Sequence, residues 1–245
     1  ACIGDSLTHG NVGQSWVDYL RNEFPNDIFL NEGINGNTVW QVLKRLEPIL
    51  ACKPDIVIIM IGTNDALGSF DINSGLRYKR NNNLPEVPTF EKYKDQLLEL
   101  IERLSEVPEI GICTIPPIGE NKDSLVNMHV KRFNKFIELV ANQKNIDLLP
   151  IYDHLWSDIS SRAYPLIKDY NPKAIPLMRR IFGGIFHHSR FRLIVLFVQE
   201  TVFSTIQLLH HRIPSCIVLC VLVVLSLFQS CFYILKSEEF VCRFF

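Results

Sequence analysis

Asp55-Ile-Val-Ile-Ile-Met-Ile-Gly-Thr-Asn-Asp65 is the stretch that decides the fold. From Ile56 to Ile61 the chain is apolar, mostly β-branched, and shows no polar alternation. That is the pattern of a strand buried on both faces, as in a parallel sheet covered by helices. The run stops at Gly62, and three small polar residues follow it. A buried strand that ends in a polar turn delivers those side chains to one edge of the sheet.

Other strand candidates lie on either side, at 1–4, 28–31, 111–115 and 146–151. Amphipathic segments separate them. Trp16, Val17, Leu20 and Phe24 share one helical face. Val39, Val42, Leu43, Leu46 and Leu50 share another, with Thr38 as a cap. Phe90–Leu104 follows Thr89 as N-cap and turns Glu91, Asp95 and Glu99 to solvent. A fourth helix spans roughly residues 124–142, with Val130, Phe133, Phe136, Ile137 and Val140 inward. Strand–helix alternation with short connections predicts an open, doubly wound α/β domain with a mostly parallel five-stranded sheet. In such sheets ligands bind at the carboxyl ends of the strands. Residues 66–88 break the rhythm and read as an irregular insert, either a wall of a binding cleft or a mobile loop. Its Arg77, Lys79 and Arg80 fit a solvated face, or a patch that attracts an anionic group.

Three polar motifs follow strands. Gly4-Asp5-Ser6-Leu7 ends the first. A nucleophilic hydroxyl needs a rigid, exposed perch of this kind, and Asp5 can bond nearby backbone to hold the loop. The plainer reading of Ser6 is a helix N-cap. Asn31-Glu-Gly-Ile-Asn-Gly-Asn-Thr38 follows the second strand. Its glycines and asparagines suit positive φ and leave N–H groups exposed, Gly36 being the best backbone donor. A simple strand-to-helix turn would look the same. Gly62-Thr63-Asn64-Asp65 follows the third strand, and the Asn64 amide could donate to a developing oxyanion or merely close an Asx-turn.

Taken together, the motifs resemble the GDSL or SGNH hydrolases, which are serine esterases and lipases on a flavodoxin-like three-layer sandwich. The resemblance covers about residues 1–155. It implies Ser6 as nucleophile, and an oxyanion hole made of the Ser6 N–H, the Gly36 N–H and Asn64 Nδ2. It further implies an ester substrate, small-molecule or lipid, and no cofactor. The family's fourth block, Asp-x-x-His, is not found, because no histidine here has an aspartate three residues before it. His154, His187 and His188 are the remaining candidates for the base. Asp153 and His154 are adjacent in sequence and unsuited to pairing with each other. His9 is too close to Ser6 in sequence to serve. A catalytically impaired or truncated relative, or a membrane-tethered binding module, is the alternative.

The bulk numbers narrow the class. The 245 residues carry a net charge of -1, which gives no case for nucleic acid. None of the seven cysteines falls in a zinc-type spacing, so no metal is expected. Cys2, Cys52 and Cys113 read as buried thiols. Residues 1–190 form the expected α/β domain. Residues 191–245 form an atypical apolar extension, in which 216–235 is long enough to span a bilayer. That extension fits a membrane anchor, a buried helix pair or an out-of-frame tail. The chain opens without Met and directly in a strand, as a truncated N-terminus would, and a membrane-associated or secretory location is compatible with it.

Overall fold

The computed structural model of the chain describes residues 1–12, 15–119 and 121–161. Among the described residues there are five strands: β1 (Cys2–Gly4), β2 (Asn31–Gly33), β3 (Ile56–Met60), β4 (Glu109–Cys113) and β5 (Asp147–Leu149). The helices are α1 (Ser6–His9), α2 (Trp16–Glu23), α3 (Val39–Lys44), α4 (Leu46–Ala51), α5 (Thr63–Gly68), α6 (Ile72–Asn81), α7 (Phe90–Arg103), α8 (Leu125–Lys144) and α9 (Ile151–Ser161). All four strand pairings are parallel, in the order β2-β1-β3-β4-β5. This is the flavodoxin-like α/β order. The chain leaves β1 toward one edge for β2, then crosses back to β3 on its other side. The carboxyl ends of β1 and β3 therefore flank the topological switch point, where such sheets bind ligands.

The β3 run is as buried as its sequence demands. Val57 and Ile59 have no exposed surface, and Ile3 and Ile112 match them on the neighbouring strands. Helices α7 and α8 close over this core through tilted and edge-to-face rings. Tyr93 and Phe133 have centroids 4.6 Å apart, and Phe90 lies 4.8 Å from Phe133. Two asparagines seven residues apart on α8, and so on one face, bind the chain leaving β4. Asn134 accepts from the Ile115 N–H (2.7 Å) and donates to the Ile115 carbonyl (3.0 Å). Asn127 does the same for Ile118, at 2.9 Å each way.

Several boundaries differ from the sequence expectation. The second strand is 31–33 rather than 28–31, and Ile28 is 89% exposed. The helix expected to run unbroken from 39 to 50 is interrupted at Arg45, with φ -119 and ψ 16. Pro48 explains the break: it has no N–H for the Lys44 carbonyl, and its ring would clash there in a continuous helix. Starting afresh at Leu46 puts Pro48 in the first turn, where the missing N–H costs nothing. Cys52 is exposed, not buried, because it lies at the end of α4, whereas Cys2 and Cys113 are buried in strands. Residues 66–88 are not irregular throughout, since α5 and α6 occupy 63–68 and 72–81. The Asp71 side chain caps α6 by accepting the Ser74 N–H at 3.0 Å. Gly75 weakens the helical signal in the sequence, yet it is what lets α6 pack closely. A Cβ there would lie 2.4 Å from Val87 Cγ1 and 3.1 Å from the Gly68 carbonyl oxygen.

No helix among the described residues is long and apolar enough to cross a membrane. The boundary at 190 and the apolar run 216–235 lie outside the described residues.

Candidate active site

The site is built from the three turns at the carboxyl ends of β1, β2 and β3. The β1 turn leads at once into α1, and Asp5 is its N-cap, not Ser6. Asp5 Oδ1 accepts the Leu7 N–H at 2.9 Å. Ser6 is the first helical residue and is half-buried. First-turn N–H groups have no partner within their own helix. Among the described residues no acceptor lies on the Ser6 N–H, and none bonds its Oγ.

The second turn is fixed from two sides. Asn31 Nδ2 donates to the Thr8 carbonyl at 3.0 Å, and His9 Nδ1 lies 3.0 Å from the Gly33 carbonyl oxygen. This close approach needs a glycine at 33, since a Cβ would sit 2.1 Å from the His9 nitrogen. His9 therefore serves as a clamp between α1 and β2. Arg45, freed by the helix break, donates to the Glu32 carbonyl (2.7 Å), the Gly4 carbonyl (3.3 Å) and Asn37 Oδ1 (3.1 Å). Gly36 has φ +76, a conformation other residues adopt only with strain, and no acceptor lies on its N–H among the described residues.

Asn64 and Asp65 stand in the first turn of α5, both buried. The Asn64 amide is held at both ends. Its Nδ2 donates to the Asn37 carbonyl (2.9 Å) and to Asp5 Oδ2 (3.2 Å), and its Oδ1 accepts from the Tyr78 hydroxyl (3.1 Å). The structure thus gathers Ser6, Gly36 and Asn64 through direct links among Asp5, Asn37 and Asn64. Asp65 accepts the Val39 N–H, at 3.2 Å to Oδ2, and so joins α5 to the start of α3. Burial pushes both the Asp5 and the Asp65 carboxyl up to about 7, against the opposing bonds from Leu7 and Val39. A cavity of about 260 Å³ adjoins Asp65, walled by Thr38, Trp40, Leu84, Val87 and Tyr93, and its lining does not include Ser6.

The histidines separate by position. His154 is in the first turns of α9, directly after β5. β5 is three strand spacings from β1, or about 14 Å across the sheet. His129 Nε2 is 3.0 Å from Ser69 Oγ, but that hydroxyl gives its proton to the Asp65 carbonyl at 2.8 Å. Burial, with Arg132 nearby, lowers the His129 pKa and favours the neutral ring. His187 and His188 lie outside the described residues. Among the described residues no cluster of His, Cys, Asp or Glu could hold a metal ion.

Sequence reading missed two contributors. Tyr78 lay in a stretch taken as irregular. Arg45 carries no sequence signal beyond the nearby Pro48, which marks its release from the helix.

Residues 2–187 match the GDSL-like lipase/acylhydrolase family. No curated protein matches the chain. Among solved structures, an acetylxylan esterase from Geobacillus stearothermophilus is similar at 21% identity and a TM-score of 0.55, covering 76% of this chain and 93% of that one. An alpha/beta hydrolase enzyme from the metagenome of Lake Arreo is similar at 20% identity and a TM-score of 0.53, covering 76% and 95%. At these identities the likeness is one of fold.

Proposed function

The chain belongs to the GDSL-like lipase/acylhydrolase family, and we propose that it hydrolyses carboxylic esters by acyl transfer through Ser6. Ester hydrolysis is the activity of the family. In the finer reading, Ser6 Oγ attacks the ester carbonyl carbon while a histidine takes its proton. The carbonyl oxygen becomes an oxyanion, met by the N–H groups of Ser6 and Gly36 and by Asn64 Nδ2. Collapse of the adduct expels the alcohol, which takes the proton from the histidine. Water then attacks the acyl-serine and releases the acid. Small-molecule or lipid esters, acyl or acetyl, are the substrates this reading names, and no cofactor is needed.

The observation that carries the reading is the Ser6 turn. A serine begins a helix at the switch point, with neither N–H nor Oγ engaged among the described residues, and Asp5 links it to Asn64. The candidates for the base are His154, His187 and His188. A second reading, a cleft that binds esters but turns them over poorly, is favoured by the missing Asp-x-x-His. Turnover of a short-chain p-nitrophenyl ester and labelling by a fluorophosphonate separate the two. The native chain is expected to do both and Ser6→Ala neither, and alanine at the histidine that serves as base is expected to impair turnover. Equal turnover by the native chain and Ser6→Ala would overturn the mechanism. A native chain that resists labelling would favour the binding reading.

A further inference from the structure

We infer that Tyr78 is a positioning residue for the oxyanion donor Asn64, a role that rests on the ester-hydrolase reading above. Tyr78 comes from α6, outside the three turns that form the site. Its hydroxyl donates to Asn64 Oδ1 at 3.1 Å. The opposite end of the same amide donates to the Asn37 carbonyl and to Asp5 Oδ2.

These three bonds divide the work. Turning the amide over would set Oδ1 against the Asn37 carbonyl and the Asp5 carboxyl, placing acceptor against acceptor. The Asp5 and Asn37 oxygens therefore decide which end carries the nitrogen. They cannot hold that end still during the reaction, because both protons of Nδ2 are already engaged. An oxyanion must share or replace one of these bonds, and the one to Asp5, at 3.2 Å, is the longer. While that exchange occurs, the bond from Tyr78 keeps the amide plane fixed from the far side. It also draws electron density toward Oδ1, which makes the Nδ2 protons better donors. The bond is useful mainly when charge develops, so its loss should fall on kcat more than on KM.

The α6 helix reaches the site a second time. Gln41 Nε2 donates to the Asn82 carbonyl at 3.3 Å, and a Cβ on Gly36 would meet Asn82 Oδ1 at 2.8 Å. The segment carrying Tyr78 is thus seated against the Gly36 turn as well as against Asn64.

The test is a double-mutant cycle on p-nitrophenyl acetate, with rates normalised to active sites titrated by a fluorophosphonate. Tyr78→Phe keeps the ring and removes one oxygen. It is expected to lower kcat about fivefold to tenfold, the worth of one hydrogen bond, with KM within twofold. In an Asn64→Ala background the same change is expected to alter kcat by less than twofold, because the group it acts through is gone. A loss of equal size in both backgrounds overturns the inference, as does no loss in the native background. Failure of the underlying reading looks different: Ser6→Ala then turns ester over as fast as the native chain. Turnover that depends on Ser6 but is indifferent to Tyr78 removes this inference alone.

Discussion

Replacing Asn64 by alanine has two separable consequences, and the structure sets the size of each. The first is catalytic. Removing one oxyanion donor costs about 10²–10³ in kcat, or roughly 2.7–4 kcal/mol. The second is structural, because three groups lose a partner. Tyr78 is half-exposed and can turn to water. Asp5 is 1% exposed and keeps its bond from Leu7, while its Oδ2 loses the Asn64 proton. The Asn37 carbonyl, on a residue that is 5% exposed, loses the amide proton it accepted. At roughly 1–3 kcal/mol for each buried group left unpaired, the loss is about 2–6 kcal/mol. A domain stable by about 5–15 kcal/mol survives most of that range. Urea unfolding measures the structural part, and p-nitrophenyl acetate turnover per folded molecule measures the catalytic part. Asn64→Ala is expected to unfold at a lower urea midpoint with an unchanged m-value, and to lose at least a hundredfold in kcat. A folded Asn64→Ala protein with kcat within threefold of native would refute the oxyanion assignment. A native-like urea midpoint would refute the buried network.

Two further predictions test the fold around the site. Asn134→Leu keeps the branched outline of the side chain but is bulkier and orphans the Ile115 N–H and carbonyl; it is expected to cost at least about 2–6 kcal/mol in urea unfolding, and a cost under 1 kcal/mol would contradict the clamp. Asp5 and Asp65 are held near 7 in the folded chain, above the ordinary 3.8, so the native state keeps their protons longer than the unfolded state does. Their contribution to stability is therefore fully present below about pH 3.8, is lost as pH rises toward 7, and is flat above that. Asp65→Asn retains an acceptor for the Val39 N–H and should flatten its share of this slope; urea midpoints of both proteins between pH 4 and 8 check it, and an unchanged slope would count against the assignment.

Much of the architecture was legible because hydrophobic pattern fixes what must be buried. The run from Ile56 to Ile61 has no polar face to offer water, so only the middle of a covered sheet suits it. Gly36 and Gly62 announced turns because their positive φ values suit few other residues. The α6 helix was hidden for the opposite reason. Gly75 and Ser74 weaken its propensity, and packing against Gly68 and Val87 supplies what the local sequence does not. The break at Arg45 was written in Pro48, but the use made of the freed guanidinium depends on Gly4, Glu32 and Asn37 converging around it.

The sequence by itself determined which turns reach the working edge of the sheet, and hence that Ser6, Gly36 and Asn64 are brought to one place. Strand burial and glycine stereochemistry are local, and a single chain displays them. Only the tertiary structure decided how the donors are committed. The bonds of Asn64 reach residues 59, 27 and 14 positions away, to Asp5, Asn37 and Tyr78. No periodicity records such contacts, because they exist only after separate turns have been folded against one another. Whether an amide proton is free, shared or held from behind depends on that arrangement.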